Sequence, residues 1–313
     1  MHWYQDPTLQ TVALGGGMIG GISGSLGVFA YLRRQSLIGD VVAHSSLLGI
    51  MLAFLISYWI TGSGIRTSAV LLPGAVVTGL AAAALTRFLI RTTKIKEDAA
   101  LGIMLAVFFA TAMVFLRMIQ RADPPIDGRA GLDQFLFGQA AATSRADLKW
   151  IAAVGVASIV TMSAAWTRLK IFSFDPDHAR GLGLPSRGVE SVLSALLVVG
   201  IVIGLQSVGV VLMISMLTAP AAAARQWTRS VGAMVWLAGA MGAAAASIGA
   251  VISGTVRHAP TGPVIVLLLT GGFVLSLLLA PRRGIVAQWL HRRRVAADCA
   301  VATNVPREPE SVR

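Results

Sequence analysis

The stretch DVVAHSSLLGIMLAFLISYWI, residues 40–60, decides how this chain is read. From Leu47 to Ile60 it carries no charge and a single serine, Ser57. About 20 residues of this kind, rising about 1.5 Å each as a helix, cross the roughly 30 Å of hydrocarbon in a bilayer. Comparable apolar runs occupy 9–32, 69–90, 99–116, 150–167, 190–204, 208–224, 232–255 and 262–280. The spacing predicts an all-α, polytopic transmembrane bundle of about nine spans. Residues 190–224 form one apolar stretch of 35, too long for one straight span. A turn is expected between Gly204 and Gly209, where Gln206 interrupts it; a single broken helix there would make eight spans.

Composition agrees. Of 313 residues, 55% are hydrophobic and 13% charged, and mean hydropathy is +0.74, too little charge to cover a water-soluble surface. Lys and Arg number 26 against 14 acids. The positive charge sits in short blocks between apolar runs, which is the pattern of membrane topology and excludes a nucleic-acid-binding face. With the N-terminus outside and the C-terminus inside, 19 of the basic residues fall in inside segments and 7 in outside ones. That orientation is therefore expected. No cleavable signal is expected, because the first basic residue, Arg33, follows the first apolar run. Residues 1–281 read as the membrane domain. Residues 282–313, with Arg292, Arg293 and Arg294 and a Pro/Glu-rich end, read as a basic cytoplasmic tail, partly disordered and able to touch anionic lipid heads.

Small residues recur on two runs. Gly16, Gly20 and Gly24 repeat every four positions, interleaved with Gly17 and Gly21, and Gly239, Gly242 and Ala243–Ala246 follow in the eighth run. Helices gain little from apolar side chains leaving lipid for one another, so such residues mark close backbone packing. Cys299 stands alone, excluding a disulfide framework or a Cys metal cluster. No lysine follows a glycine, so no P-loop exists, and the chain does not hydrolyse ATP by that route.

Within the second run sit Asp40 and His44. A carboxylate at mid-bilayer costs roughly 2.5–3.5 kcal/mol and calls for a partner or a water path. Residues four apart on a helix share a face, with Cβ atoms about 5–6 Å apart. One cation can then touch both side chains, and a carboxylate oxygen with an imidazole nitrogen suits Mn²⁺, Zn²⁺ or Fe²⁺. A hydrogen-bonded pair that fixes packing, or a proton relay, satisfies the same spacing. Two ligands do not complete a shell of four to six.

Six blocks in order carry a family resemblance. Arg33-Arg34-Gln-Ser-Leu-Ile-Gly39-Asp40-Val-Val-Ala-His44-Ser-Ser-Leu-Leu-Gly49 resembles the second-helix signature of permeases from zinc/manganese/iron-type ABC importers. Lys96-Glu97-Asp98-Ala-Ala-Leu-Gly102 opens the fourth run. Gly131-Leu132-Asp133-Gln134-Phe135-Leu136-Phe137-Gly138, followed by Asp147, fills the long outside loop. Phe174-Asp175-Pro176-Asp177-His178-Ala179-Arg180-Gly-Leu-Gly183 lies in an inside segment. Gln206-Ser-Val-Gly209 with Ala219-Pro220-Ala221, and Pro260-Thr261-Gly262-Pro263, complete the set.

The resemblance implies a multi-pass subunit of the bacterial cytoplasmic (inner) membrane, itself no enzyme and holding no permanent cofactor. It implies two cytoplasmic ATP-binding subunits, an extracytoplasmic metal-binding protein and a second permease, identical or related. Asp40 and His44 match the family's metal-contacting Asp and His, while Glu97, Asp98 and His258 are weaker candidates at exit and entry. Asp175, Pro176, Asp177, His178, Arg180 and Gly183 are expected to form the coupling element seated in the ATPase. Asp133, Phe135, Phe137 and Asp147 are expected to face the binding protein. The loop pattern is similar to the manganese/iron branch, although that branch often has His where this chain has Gln134, and manganese is the expected cargo. The rival readings are a proton-coupled carrier using Asp40 and His44 as a relay, and a permease for a metal chelate.

Overall fold

The computed structural model describes residues 7–33, 37–65, 67–132, 134–138, 145–256, 259–281 and 284–288. His258, Asp133 and nearly all of the tail beyond Pro281 lie outside them. In hydrocarbon every backbone N–H and C=O must be satisfied within the protein, so the apolar runs become helices. In chain order these are α1 (Pro7–Leu32), α2 (Leu37–Thr61), α3 (Ser68–Thr92), α4 (Glu97–Arg121), the short α5 (Gln134–Phe137) and α6 (Arg145–Ala164). They continue with α7 (Trp166–Phe174), α8 (Pro176–Gly181), α9 (Ser186–Val208), α10 (Val210–Trp227), α11 (Val231–Thr255) and α12 (Thr261–Leu279). Among the described residues, 8 helices are long and apolar enough to cross a membrane: α1–α4, α6, α9, α11 and α12.

α10 is not in that set; its last turn carries Arg225 and Gln226. It packs inside the bundle all the same, with Leu212 beside Gly262 at the start of α12 and Leu217 beside Gly39 at the start of α2. The long apolar stretch is therefore broken into two helices, α9 and α10, of which only α9 is counted among the eight. The turn falls at Gly209, whose φ of 81° is left-handed backbone that a side chain resists.

Burial ranks the helices. The apolar windows of α1, α2 and α9 are 72%, 67% and 61% buried against 22% for α4 and α6, so the first three form the core and the last two its rim. Phe29, Phe54, Leu47, Ile50 and Met51 fill the centre.

α1 and α11 meet along the two small-residue runs. A Cβ added to Gly20 would strike the Gly242 carbonyl, and one on Gly242 the Gly20 carbonyl. Ser247 Oγ donates to the Ala13 carbonyl at 3.0 Å and Ser25 Oγ to the Val235 carbonyl at 3.3 Å, lacing the seam with hydrogen bonds. Because backbone cannot retreat as a flexible side chain can, Gly20→Val is expected to cost about 3 kcal/mol by overpacking. Thermal unfolding of the purified chain should show this as a lowered midpoint, whereas Gly102→Ala, with open space at a position inside α4, should not lower it.

Candidate functional site

Asp40 lies in the first turn of α2 and His44 one turn further in. Both side chains are half-buried. Asp40 Oδ1 and His44 Nδ1 are nonetheless inaccessible to solvent and have no hydrogen-bond partner. The Asp–His hydrogen bond that the spacing also permits is absent. The imidazole instead packs in a T-shaped contact with Phe109 on α4, with centroids 4.6 Å apart and planes at 68°. One buried oxygen and one buried nitrogen are thus left without a partner on a shared helical face. Buried polar atoms are normally satisfied, so such a pair, like the unpartnered hydroxyls of Ser23 and Ser46, stands out. Among the described residues no group of three or more His, Cys, Asp or Glu joins them. Glu97 and Asp98 are exposed in the first turn of α4, where acids favour the positive end of the helix dipole.

The predicted coupling segment is a capped unit. Asp175 Oδ1 accepts from the amides of Asp177 and His178 at 3.0 and 2.9 Å, and Pro176 takes the first helical position. The Leu184 amide donates back to Ala179 and the Gly183 amide to Arg180, at 3.1 and 3.0 Å, with Gly183 at φ 73°. That is a Schellman stop, which allows one residue of left-handed backbone to end the helix sharply. Arg180 pairs with Asp177 at 2.8 Å, and both are exposed, as is His178. An exposed pair adds little stability; the caps shape this element.

Glu190 is not among the residues that the sequence singles out. It opens the apolar run 190–204, and its signal is a carboxylate standing among arginines at a helix start. The side chain, only 16% exposed, pairs with Arg91 of α3 at 3.0 Å and with Arg33, at the end of α1, at 4.0 Å. The Arg33 guanidinium also lies 4.7 Å from the centre of the Phe172 ring on α7. Burial lowers the pKa of Arg33, while Glu190 and Glu97 act to hold it up. This network ties α1, α3, α7 and α9 at one end of the bundle, the end that bears α8 and the start of α2.

At the opposite end the long loop between α4 and α6 is packed down. Leu132 is fully buried, the Gly64 amide donates to Asp127 at 3.1 Å, and Arg129 Nη1 donates to the Gln120 carbonyl at 3.1 Å. α5 is a single helical turn over Gln134–Phe137. Gly138, at φ 75°, lies directly against the backbone of Val208 and Gly209. Asp147 stands in the first turn of α6.

A multi-pass helical bundle with a polar pair inside one span and a capped surface helix at one end has the build of a transport subunit. The ABC 3 transport family matches residues 5–280, and the chain belongs to that family. It is 42% identical over 296 residues to the zinc transport system membrane protein TroC of Treponema pallidum, covering 95% of this chain and 97% of TroC. It is 38% identical over 291 residues to the manganese transport system membrane protein MntC of Bacillus subtilis, covering 93% and 65%. Among solved structures it is similar to PsaBC from Streptococcus pneumoniae in complex with Fab, with a TM-score of 0.77 and 29% identity over 90% of this chain and 94% of that one.

Removing the shared carboxylate leaves Arg33 buried beside Phe172 without its ion pair. Glu190→Leu should therefore destabilise the bundle by about 2 kcal/mol. Glu190→Gln, which keeps an acceptor for Arg91, should lose clearly less. Thermal unfolding of the two variants side by side checks the difference.

Proposed function

We propose that this chain is the membrane-spanning subunit of an ATP-driven importer of a bare divalent transition metal, manganese or zinc. The observation that carries the reading is the pair of buried, unpartnered donor atoms, Asp40 Oδ1 and His44 Nδ1, one turn apart on the central helix. A permanent structural pair would satisfy itself; a site for a passing ion keeps its donors free. The relatives' names supply the cargo class, and one carboxylate oxygen with one imidazole nitrogen suits either ion. Water, backbone carbonyls or a second permease complete the coordination shell. An incomplete shell serves transit better than storage, because the ion must also leave.

The charge asymmetry puts the α8 end in the cytoplasm of a bacterium whose inner membrane holds the bundle. ATP binding and hydrolysis belong to partner subunits seated on α8, since this chain has no glycine-lysine phosphate loop. Movement of α8 passes directly into α9. From α9 it passes through Glu190 to Arg33, at the mouth of the linker that leads to Asp40. The pathway around the ion is thereby reshaped between outward and inward access. The packed outer loop, with Phe135, Phe137 and Asp147, is the surface offered to an external metal-binding protein.

Uptake of manganese and of zinc, each measured in cells lacking the native chain, tests the site. Asp40→Asn and His44→Ala should reduce uptake of the physiological ion to background while the subunits still co-purify; wild-type uptake by either variant removes the assignment. The coupling element has its own test. Asp175→Ala loses a helix cap that contributes about 1 kcal/mol. It should keep ATP turnover yet lower uptake several-fold, while Asp175→Asn, which still caps, should remain near wild type. Equal behaviour of the two would rule out this placement of the coupling helix.

A further inference from the structure

Beside the Glu190 network a cleft of about 450 Å³ opens between α3 and α9. Its polar wall is Arg87, Arg91, Arg187, Glu190 and Ser191, with Phe88 on the same rim. The arginines differ in how they are engaged. Arg91 is paired with Glu190, and Arg87 donates to Ser194 Oγ at 3.3 Å and to the Ala83 carbonyl at 3.2 Å. Arg187 is exposed and makes no hydrogen bond or ion pair among the described residues. Glu190 is already matched by Arg91 and Arg33, so the cleft carries net positive charge from Arg87 and Arg187.

One side of this basic cleft is the end of the bundle. The helix surface next to it is apolar: Phe88, in the cleft lining, is 66% exposed, and Leu85 and Val192, on the same two helices beside lining residues, are 47% and 36% exposed. A ligand that fits must offer an anionic group to guanidinium forks and hydrocarbon to that surface at the same time. Guanidinium donors match phosphate oxygens in geometry as well as charge. Basic pockets between transmembrane helices on the cytoplasmic side recognise phospholipid heads by this combination.

We propose that the α3/α9 cleft is a binding site for the phosphate headgroup of an anionic phospholipid of the inner leaflet. Arg87 and Arg187 bind the phosphodiester, and the acyl chains lie over Leu85, Phe88 and Val192. The site goes beyond the transport reading and holds whichever ion is carried, requiring only that the bundle cross a bilayer. Because the headgroup lies beside the ion pairs that join α3 to α9, a bound lipid braces the helix that leaves the coupling element.

The test uses the whole complex in phosphatidylcholine bilayers doped with spin-labelled phosphatidylglycerol, reading the motionally restricted fraction of label. Wild type should hold phosphatidylglycerol in preference to labelled phosphatidylcholine. Each surface arginine near an anionic lipid strengthens such binding roughly fivefold, so Arg187→Gln should weaken the preference about fivefold and Arg87→Gln with Arg187→Gln about thirtyfold. Arg229→Gln removes an exposed arginine outside the cleft and should change nothing. Equal effects of Arg187→Gln and Arg229→Gln would reduce the binding to bulk charge and overturn the site. Release of the label by millimolar inorganic phosphate would assign the cleft to a soluble anion. Absence of any preference in the assembled complex, with preference in the chain alone, would assign it to a protein contact.

Discussion

The bundle depends on backbone meeting backbone along α1 and α11. In lipid, apolar side chains have no reason to leave their surroundings for one another, so helices hold together by close approach and by the few hydrogen bonds that approach permits. Gly20 and Gly242 place each helix's carbonyls where the other's side chains would be, and Ser25 and Ser247 reach across the narrowed gap. With α1 fixed in this way, its last turn presents Arg33 at a defined height. Arg33 in turn fixes Glu190 and the start of α9, and the chain enters α2 directly afterwards.

Asp40 and His44 inherit that order. Asp40 is placed three residues into α2, close to the end of the bundle where α8 and the ion-pair network lie, and His44 one turn deeper. The two donors therefore stand at different depths along one face. Phe109 packs against the imidazole with an aromatic ring that competes for no proton or metal. Desolvation makes unpartnered donors costly, and it also makes them strong ligands, because an arriving cation displaces little water from them.

Much of this is legible in the sequence, and the reasons are physical. Length and hydropathy define a membrane helix almost independently of its neighbours, so the long helices among the described residues fall within a few residues of the apolar runs. Left-handed backbone favours glycine, so Gly209, where the apolar stretch is too long for one span, and Gly183, just past a short helix, fall where their neighbours in sequence call for a turn and a stop. The cap at Asp175 is equally local. Glu190 is not legible in the same way, because its meaning lies in Arg33 and Arg91, which come from helices distant in sequence. Nor does spacing alone decide between a self-satisfied Asp40–His44 pair and two free donors; that depends on the rotamers allowed by α4. The candidate residues Asp133 and His258 lie outside the described residues, and α6 and the packed outer loop bring Asp147 and Phe135 to the same end of the bundle.

Gly138 and Gly209 touch through main chain, with no side chain on either to act as a cushion. A loop and a corner joined in this way are geared: the loop between α4 and α6 does not shift sideways without the corner between α9 and α10 giving way or a void opening beneath it. Voids in a tightly packed interior are expensive, so displacement of the loop reaches the end of α9 along a short path of rigid parts.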